Sequence, residues 1–219
     1  MNRRAACLFG LLATATGLRP ARAADDPDTP NGDLILLRAA SADGLHTYSV
    51  PVHFDVHMHR PVGVRAGVEA IAYYEAPSHA KLAITKIPGI IGGLFKGSYQ
   101  LDMVPQTWPT KYVVNAVSRD RIDGVPVYIL DAAPRVTDVI YRVLLSVTQT
   151  DYLPVAATWY YRDKSSIRLS LSNRRVSGFM LPGAETIAVE MPKFGLDAVG
   201  RYGDYALNAP LPDSVFGAK

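Results

Sequence analysis

From Tyr48 onward, apolar and polar residues alternate in short runs, the period-two signature of strands buried on one face. Residues 48–59 put Val52, Phe54, Val56 and Met58 on one face and His53, Asp55, His57 and His59 on the other. Residues 64–74 and 80–87 are the next runs, parted by the turn signal Ala76-Pro77-Ser78. Runs at 112–117 and 125–130 flank Arg121-Ile122-Asp123-Gly124, a hairpin signal. Runs at 139–148, 155–162 and 166–172 follow, separated by Tyr152-Leu153-Pro154 and Asp163-Lys164-Ser165. In the last of these, Ser166, Arg168, Ser170 and Ser172 oppose Ile167, Leu169 and Leu171. Runs at 176–181, 185–191 and 201–207 complete about ten strands. Most connections are of hairpin length, so the pattern predicts a mainly β chain built on one curved, largely antiparallel sheet.

Two stretches depart from the alternation. Residues 25–32 are a polar, Pro-rich leader, and a short helix is expected from Asp33, an acceptable cap, to the Asp43-Gly44 stop. Its expected inner face carries Leu34, Leu37 and Ser41. The second stretch, residues 86–109, mixes Ile87, Ile90, Ile91, Leu94 and Phe95 with Gly89, Gly92, Gly93 and Gly97, and follows neither period. A greasy segment without a rigid form of its own needs an apolar surface to lie on. A curled sheet offers one, because its concave face must be filled by something. Ile90, Ile91, Leu94 and Phe95 are therefore expected as an apolar lid or plug over a cavity, with Trp108 at the mouth, where an indole can be apolar at one end and wet at the other. The alternative is a long crossing loop whose apolar residues fill the core.

The start of the chain alters the charge argument. A short basic beginning, an uncharged apolar run over 5–18 and the small residues of Ala21-Arg22-Ala23 predict a signal peptide over 1–23, cut after Ala23. The only cysteine, Cys7, lies inside that run, so a soluble exported protein is expected rather than a lipid-anchored one. The 219-residue chain has 23 Lys+Arg against 20 Asp+Glu, but four of those arginines precede residue 24. The remaining 196 residues carry 19 basic and 20 acidic side chains, a balance of −1 that predicts no nucleic-acid partner. Without cysteine, residues 24–219 must be held by an ordinary core, as a single domain.

Catalytic signatures are missing. The segment Gly89 to Gly97 lacks the Gly-Lys-Ser/Thr of a phosphate loop and the spacing of a dinucleotide fingerprint. There is no Gly-x-Ser-x-Gly elbow, no cysteine after residue 23 and no zinc-protease spacing. His53, His57 and His59 share a strand face, and a His-x-His pair there can chelate a metal from one side. No other strand offers an obvious third ligand, so a solvated polar face is expected, with no metal or other cofactor. Arg174-Arg175 could meet anionic headgroups, but such a pair also suits a solvated turn.

Several segments together resemble a known family. Ala72-Tyr73-Tyr74-Glu75-Ala76-Pro77, Arg121-Ile122-Asp123-Gly124-Val125-Pro126-Val127-Tyr128 and Thr150-Asp151-Tyr152-Leu153-Pro154 are similar to the outer-membrane lipoprotein-sorting (LolA-like) superfamily. So is the ending Tyr202-Gly203-Asp204-Tyr205-Ala206-Leu207-Asn208 through Pro212-Asp213-Ser214-Val215-Phe216. The resemblance spans most of residues 45–217 and rests on turn and strand signatures. It implies a half-open β-barrel lidded by a short helix and loops, which binds a lipid or the acyl chain of a lipidated partner in the periplasm. It also implies a membrane-associated donor or acceptor protein, and a role as carrier or sensor rather than enzyme. The alternative on the same fold is a protein-interaction or envelope-regulatory module whose cavity is filled by its own side chains.

Overall fold

The computed structural model describes residues 30–41, 44–77, 79–89, 104–136 and 139–216. One antiparallel sheet dominates. Its strands are β1 (Thr47–Arg60), β2 (Val64–Glu75), β3 (His79–Lys86), β4 (Tyr112–Ile122), β5 (Val125–Pro134), β6 (Ile140–Thr148), β7 (Pro154–Tyr161), β8 (Ser166–Val176), β9 (Phe179–Met191), β10 (Phe194–Tyr202) and the two-residue β11 (Ala206–Leu207). The spatial order is β3-β2-β1-β10-β9-β8-β7-β6-β5-β4, with β11 beside β1. Every neighbour except the β1–β10 and β1–β11 pairs is a sequential hairpin. The sheet does not close: β3 and β4 are its two edges, and the chain between Lys86 and Tyr112 links one edge to the other.

The hairpins follow local turn chemistry. Asp123 and Gly124 both take positive φ, 49° and 81°, in the two-residue turn between β4 and β5. Ser177 and Gly178 repeat this at 48° and 94° between β8 and β9. The 176–181 run expected as a separate strand is therefore split by a turn, and its second half opens β9. Pro182-Gly183 does not end that strand. The register instead slips where Ser172 faces Ala184 and Asn173 faces Pro182, so Gly183 is absorbed as a bulge. Most of β10 lies outside the expected runs, and the run expected over 201–207 instead begins at the end of β10, leaves the sheet at 203–205 and resumes as β11.

Helix α1 (Gly32–Ala40) is capped two residues earlier than expected. Asn31, not Asp33, is the N-cap, and its side-chain oxygen accepts from the backbone N–H of Asp33 at 2.9 Å and of Leu34 at 3.3 Å. The expected inner face is also reversed: Ile35, Leu36 and Ala39 are buried, while Leu34 and Leu37 are more than half exposed. Sequence spacing left both faces apolar, and the contacts of the first turn decide between them. Asp33 accepts from the Val114 N–H of β4, and a Cβ at Gly32 would lie 2.4 Å from Val114 Cγ1. At the far end, Arg38 donates to the Tyr152 hydroxyl at 2.7 Å and stacks over its ring. Gly32→Ala is accordingly expected to push α1 off β4 and cost about 1–3 kcal/mol by overpacking, read as a lowered midpoint in urea unfolding at unchanged slope.

Candidate ligand cavity

The concave face has two unlike halves. Over β4–β7 it is a packed core. Leu130, Ala132, Val143, Leu145 and Val147 are completely buried, and Trp159 on β7 donates its ring N–H to the Tyr112 hydroxyl at 3.0 Å. A 3-10 turn (Pro105–Thr107), the short helix α2 (Trp108–Lys111) and α1 close over this half. Trp108, expected at a wet mouth, is fully buried here, and the residues just before it, Val104 to Gln106, reach the cavity instead. Ile90, Ile91, Leu94 and Phe95 lie outside the described residues.

Over β1–β3 and β8–β10 the concave face surrounds a cavity of about 820 Å³, inside the roughly 300–1,000 Å³ typical of ligand pockets. Phe54 and Val56 of β1, Val68 of β2, Ile187, Val189 and Met191 of β9, and Leu196 and Ala198 of β10 form its apolar floor. Leu82 and Ile84 of the edge strand β3 form one lip, and Leu153 of the β6–β7 connection and Pro154 at the start of β7 reach it. Ala39 at the end of α1, with Ser41 and Leu45 beyond it, adds a short flank. The alternation along β1 puts Phe54 and Val56 inward and His53, Asp55, His57 and His59 outward.

On the convex side His53 and His59 meet acids. His53 Nδ1 lies 2.7 Å from Glu69 Oε1 and Nε2 3.2 Å from Asp55 Oδ1; the hydrogen bond with Glu69, then that with Asp55, raises the imidazole's pKa. Asp55 also pairs with Arg201, which, with His53, lowers its own pKa. His59 sits 3.3 Å from Glu190 and 3.6 Å from Asp197. Among the described residues no group of three or more His, Cys, Asp or Glu is arranged to hold a metal ion.

The concave side also carries one buried acidic group that alternation alone does not mark as a site. Glu185 on β9 is only 2 % exposed, and its Oε2 accepts from the Tyr202 hydroxyl at 2.9 Å. Burial pushes its carboxyl up to about 7, against the opposing pull of the Tyr202 hydrogen bond. Tyr202 lines the cavity and stacks on Tyr205, which meets Tyr48 edge-on at 5.5 Å; Tyr48 in turn stacks on Tyr74. The signal was present in the sequence: Glu185, Ile187, Val189 and Met191 share one phase, whereas Glu190 has the other.

This architecture has known counterparts. It aligns with the crystal structure of a LolA superfamily protein from Nitrosomonas europaea at TM-score 0.62 and 18 % identity, covering 86 % of this chain and 98 % of that one. The chain has a LolA-like fold. A putative outer-membrane lipoprotein-sorting protein domain from Vibrio parahaemolyticus aligns with this LolA-like sheet at TM-score 0.63 and 10 % identity, over 85 % of this chain and 95 % of that one. A DUF1329 family protein from Desulfovibrio piger does so at 0.61 and 14 %, over 85 % and 96 %. No protein family matches the chain by sequence, and no curated protein does. No helix among the described residues is long and apolar enough to cross a membrane.

Proposed function

We propose that this LolA-like protein is a non-enzymatic carrier or sensor that holds a lipid, or the acyl chain of a lipidated partner, in the cavity over β1–β3 and β8–β10. The observation that carries this reading is the division of the concave face. One half packs its own side chains to complete burial, while the other leaves about 820 Å³ beside an apolar wall. A module that filled its cavity with the side chains of the described residues would extend the packed half across the sheet. Enclosing an alkyl chain of about twelve methylenes gains roughly 10 kcal/mol before the costs of binding, enough to draw it out of water. In this reading residues 1–23 direct export to the periplasm and are removed after Ala23. A membrane-associated protein then donates or receives the lipid, and nucleic acid plays no part.

Organic extraction of the purified protein followed by mass spectrometry is expected to yield an acyl-bearing lipid; an empty extract together with no uptake of a fluorescent apolar dye would overturn the reading. Filling the cavity should compete with a ligand. Val189→Trp places an indole among Ile187, Met191 and Leu196 and is expected to weaken binding of the dye N-phenyl-1-naphthylamine by about tenfold or more, while the melting temperature changes little.

A further inference from the structure

The cavity wall is apolar along most of its rows, but one row is not. Across the sheet, Leu171, Glu185, Gly200, Phe54 and Val68 are consecutive cross-strand partners. Leu171, Phe54 and Val68 line the cavity, so Glu185 shares the concave face with them, directly beneath the cavity surface rather than on it. Gly200 makes the room: a Cβ there would fall 2.8 Å from both Glu185 Cγ and Phe54 Cε1. Tyr202 occupies Oε2 and thereby fixes the carboxyl plane. Oε1 is buried and accepts no hydrogen bond from any described residue. A buried carboxylate oxygen without a donor is costly, and folded proteins rarely leave one so unless a ligand or ordered water completes it.

We propose that Tyr202 in the cavity wall and Glu185 just beneath it form a polar anchor, where Glu185 Oε1 accepts a hydrogen bond from a hydroxyl or amine group that an otherwise apolar ligand inserts beside Tyr202. The anchor rests on the cavity being a ligand site and adds the chemical class of that ligand. A carboxylate at this depth repels an anionic headgroup, because like charges are poorly screened away from water. A single-chain amphiphile that carries an O–H or N–H donor fits; a free fatty acid carboxylate does not. Burial also raises the carboxyl's pKa, in keeping with a group that lacks a cationic partner of its own.

Displacement of N-phenyl-1-naphthylamine from the protein by dodecylamine, monolaurin and laurate, near pH 8 and below their micelle concentrations, tests the anchor. Dodecylamine and monolaurin are expected to displace the dye at concentrations about tenfold or more below that of laurate. Glu185→Gln keeps the shape but removes the charge, and should shrink that preference to about threefold or less. Tyr202→Phe retains the carboxylate and should keep the preference. Laurate competing equally well in the wild-type protein, or a Glu185→Gln variant that retains full discrimination, would overturn the anchor while the cavity stands. A dye that does not bind at all would overturn the cavity, and the anchor with it.

Discussion

Leu145→Ala is expected to cost about 2–5 kcal/mol of stability and to leave ligand binding unchanged, whereas Ile187→Ala should cost nearer 2 kcal/mol and alter binding. The two residues sit on the same concave face with different surroundings. Leu145 is completely buried in the β4–β7 half, among neighbours at native packing density, so truncation loses its transfer energy and leaves a hole that those neighbours fill only in part. Ile187 already borders the cavity, so its truncation enlarges an existing space instead of creating one. Trp108→Ala belongs with Leu145 and should cost about 3–5 kcal/mol, since this indole is fully buried away from the cavity. Urea unfolding and dye binding, measured on the same preparations, separate the two halves. Equal costs at Leu145 and Ile187 with binding unaffected by either would mean that the sheet encloses one continuous core.

The sequence shows the strands more clearly than what the sheet encloses. Alternation over 48–59 predicts β1 and its outward histidines almost residue for residue, because a strand buried on one face needs that period. β10 was hidden for a physical reason. Gly195 and Gly200 serve close approach rather than turning: a Cβ at Gly195 would lie 2.5 Å from His59 Nε2, and one at Gly200 would strike Phe54 and Glu185. His59 and Phe54 both lie on β1, far from β10 in sequence, so nothing local reveals these contacts. The buried face of α1 was hidden in the same way, being fixed by Val114 rather than by the helix's own pattern. Trp108 shows the limit most clearly. Its amphipathic ring suits a cavity mouth on general grounds, but the strand order makes β4 a sheet edge next to a packed half, and that order cannot be read from alternation. Glu185 could have been read, because its phase with Ile187, Val189 and Met191 predicts an inward carboxyl before any fold is known.

That carboxyl makes a pH-dependent prediction of similar size. In the unfolded chain Glu185 titrates near the ordinary 4.5; in the folded protein, desolvation moves it to about 7. Between these values the folded state binds the extra proton, so stability must fall as pH rises through that window. It should be nearly flat below about 4.5 and again above about 7, with a total loss on the order of 3 kcal/mol at 1.36 kcal/mol per pH unit. The tyrosines around Glu185 do not titrate there. Tyr48, Tyr202 and Tyr205 are all held above their usual range, chiefly by burial. His53 is a separate contributor of the same sign: its raised pKa, set first by Glu69, gives stability that is lost as pH rises through its folded value. It is exposed on the convex face, and its share is common to both proteins when wild type is compared with Glu185→Gln. The difference between the two unfolding profiles therefore isolates Glu185. Glu185→Gln should match the wild-type protein near pH 4, lack the fall between about 4.5 and 7, and be the more stable protein near pH 8 by on the order of 3 kcal/mol. Parallel profiles across that window would show that the carboxyl is hydrated in solution and ionises there as an ordinary glutamate.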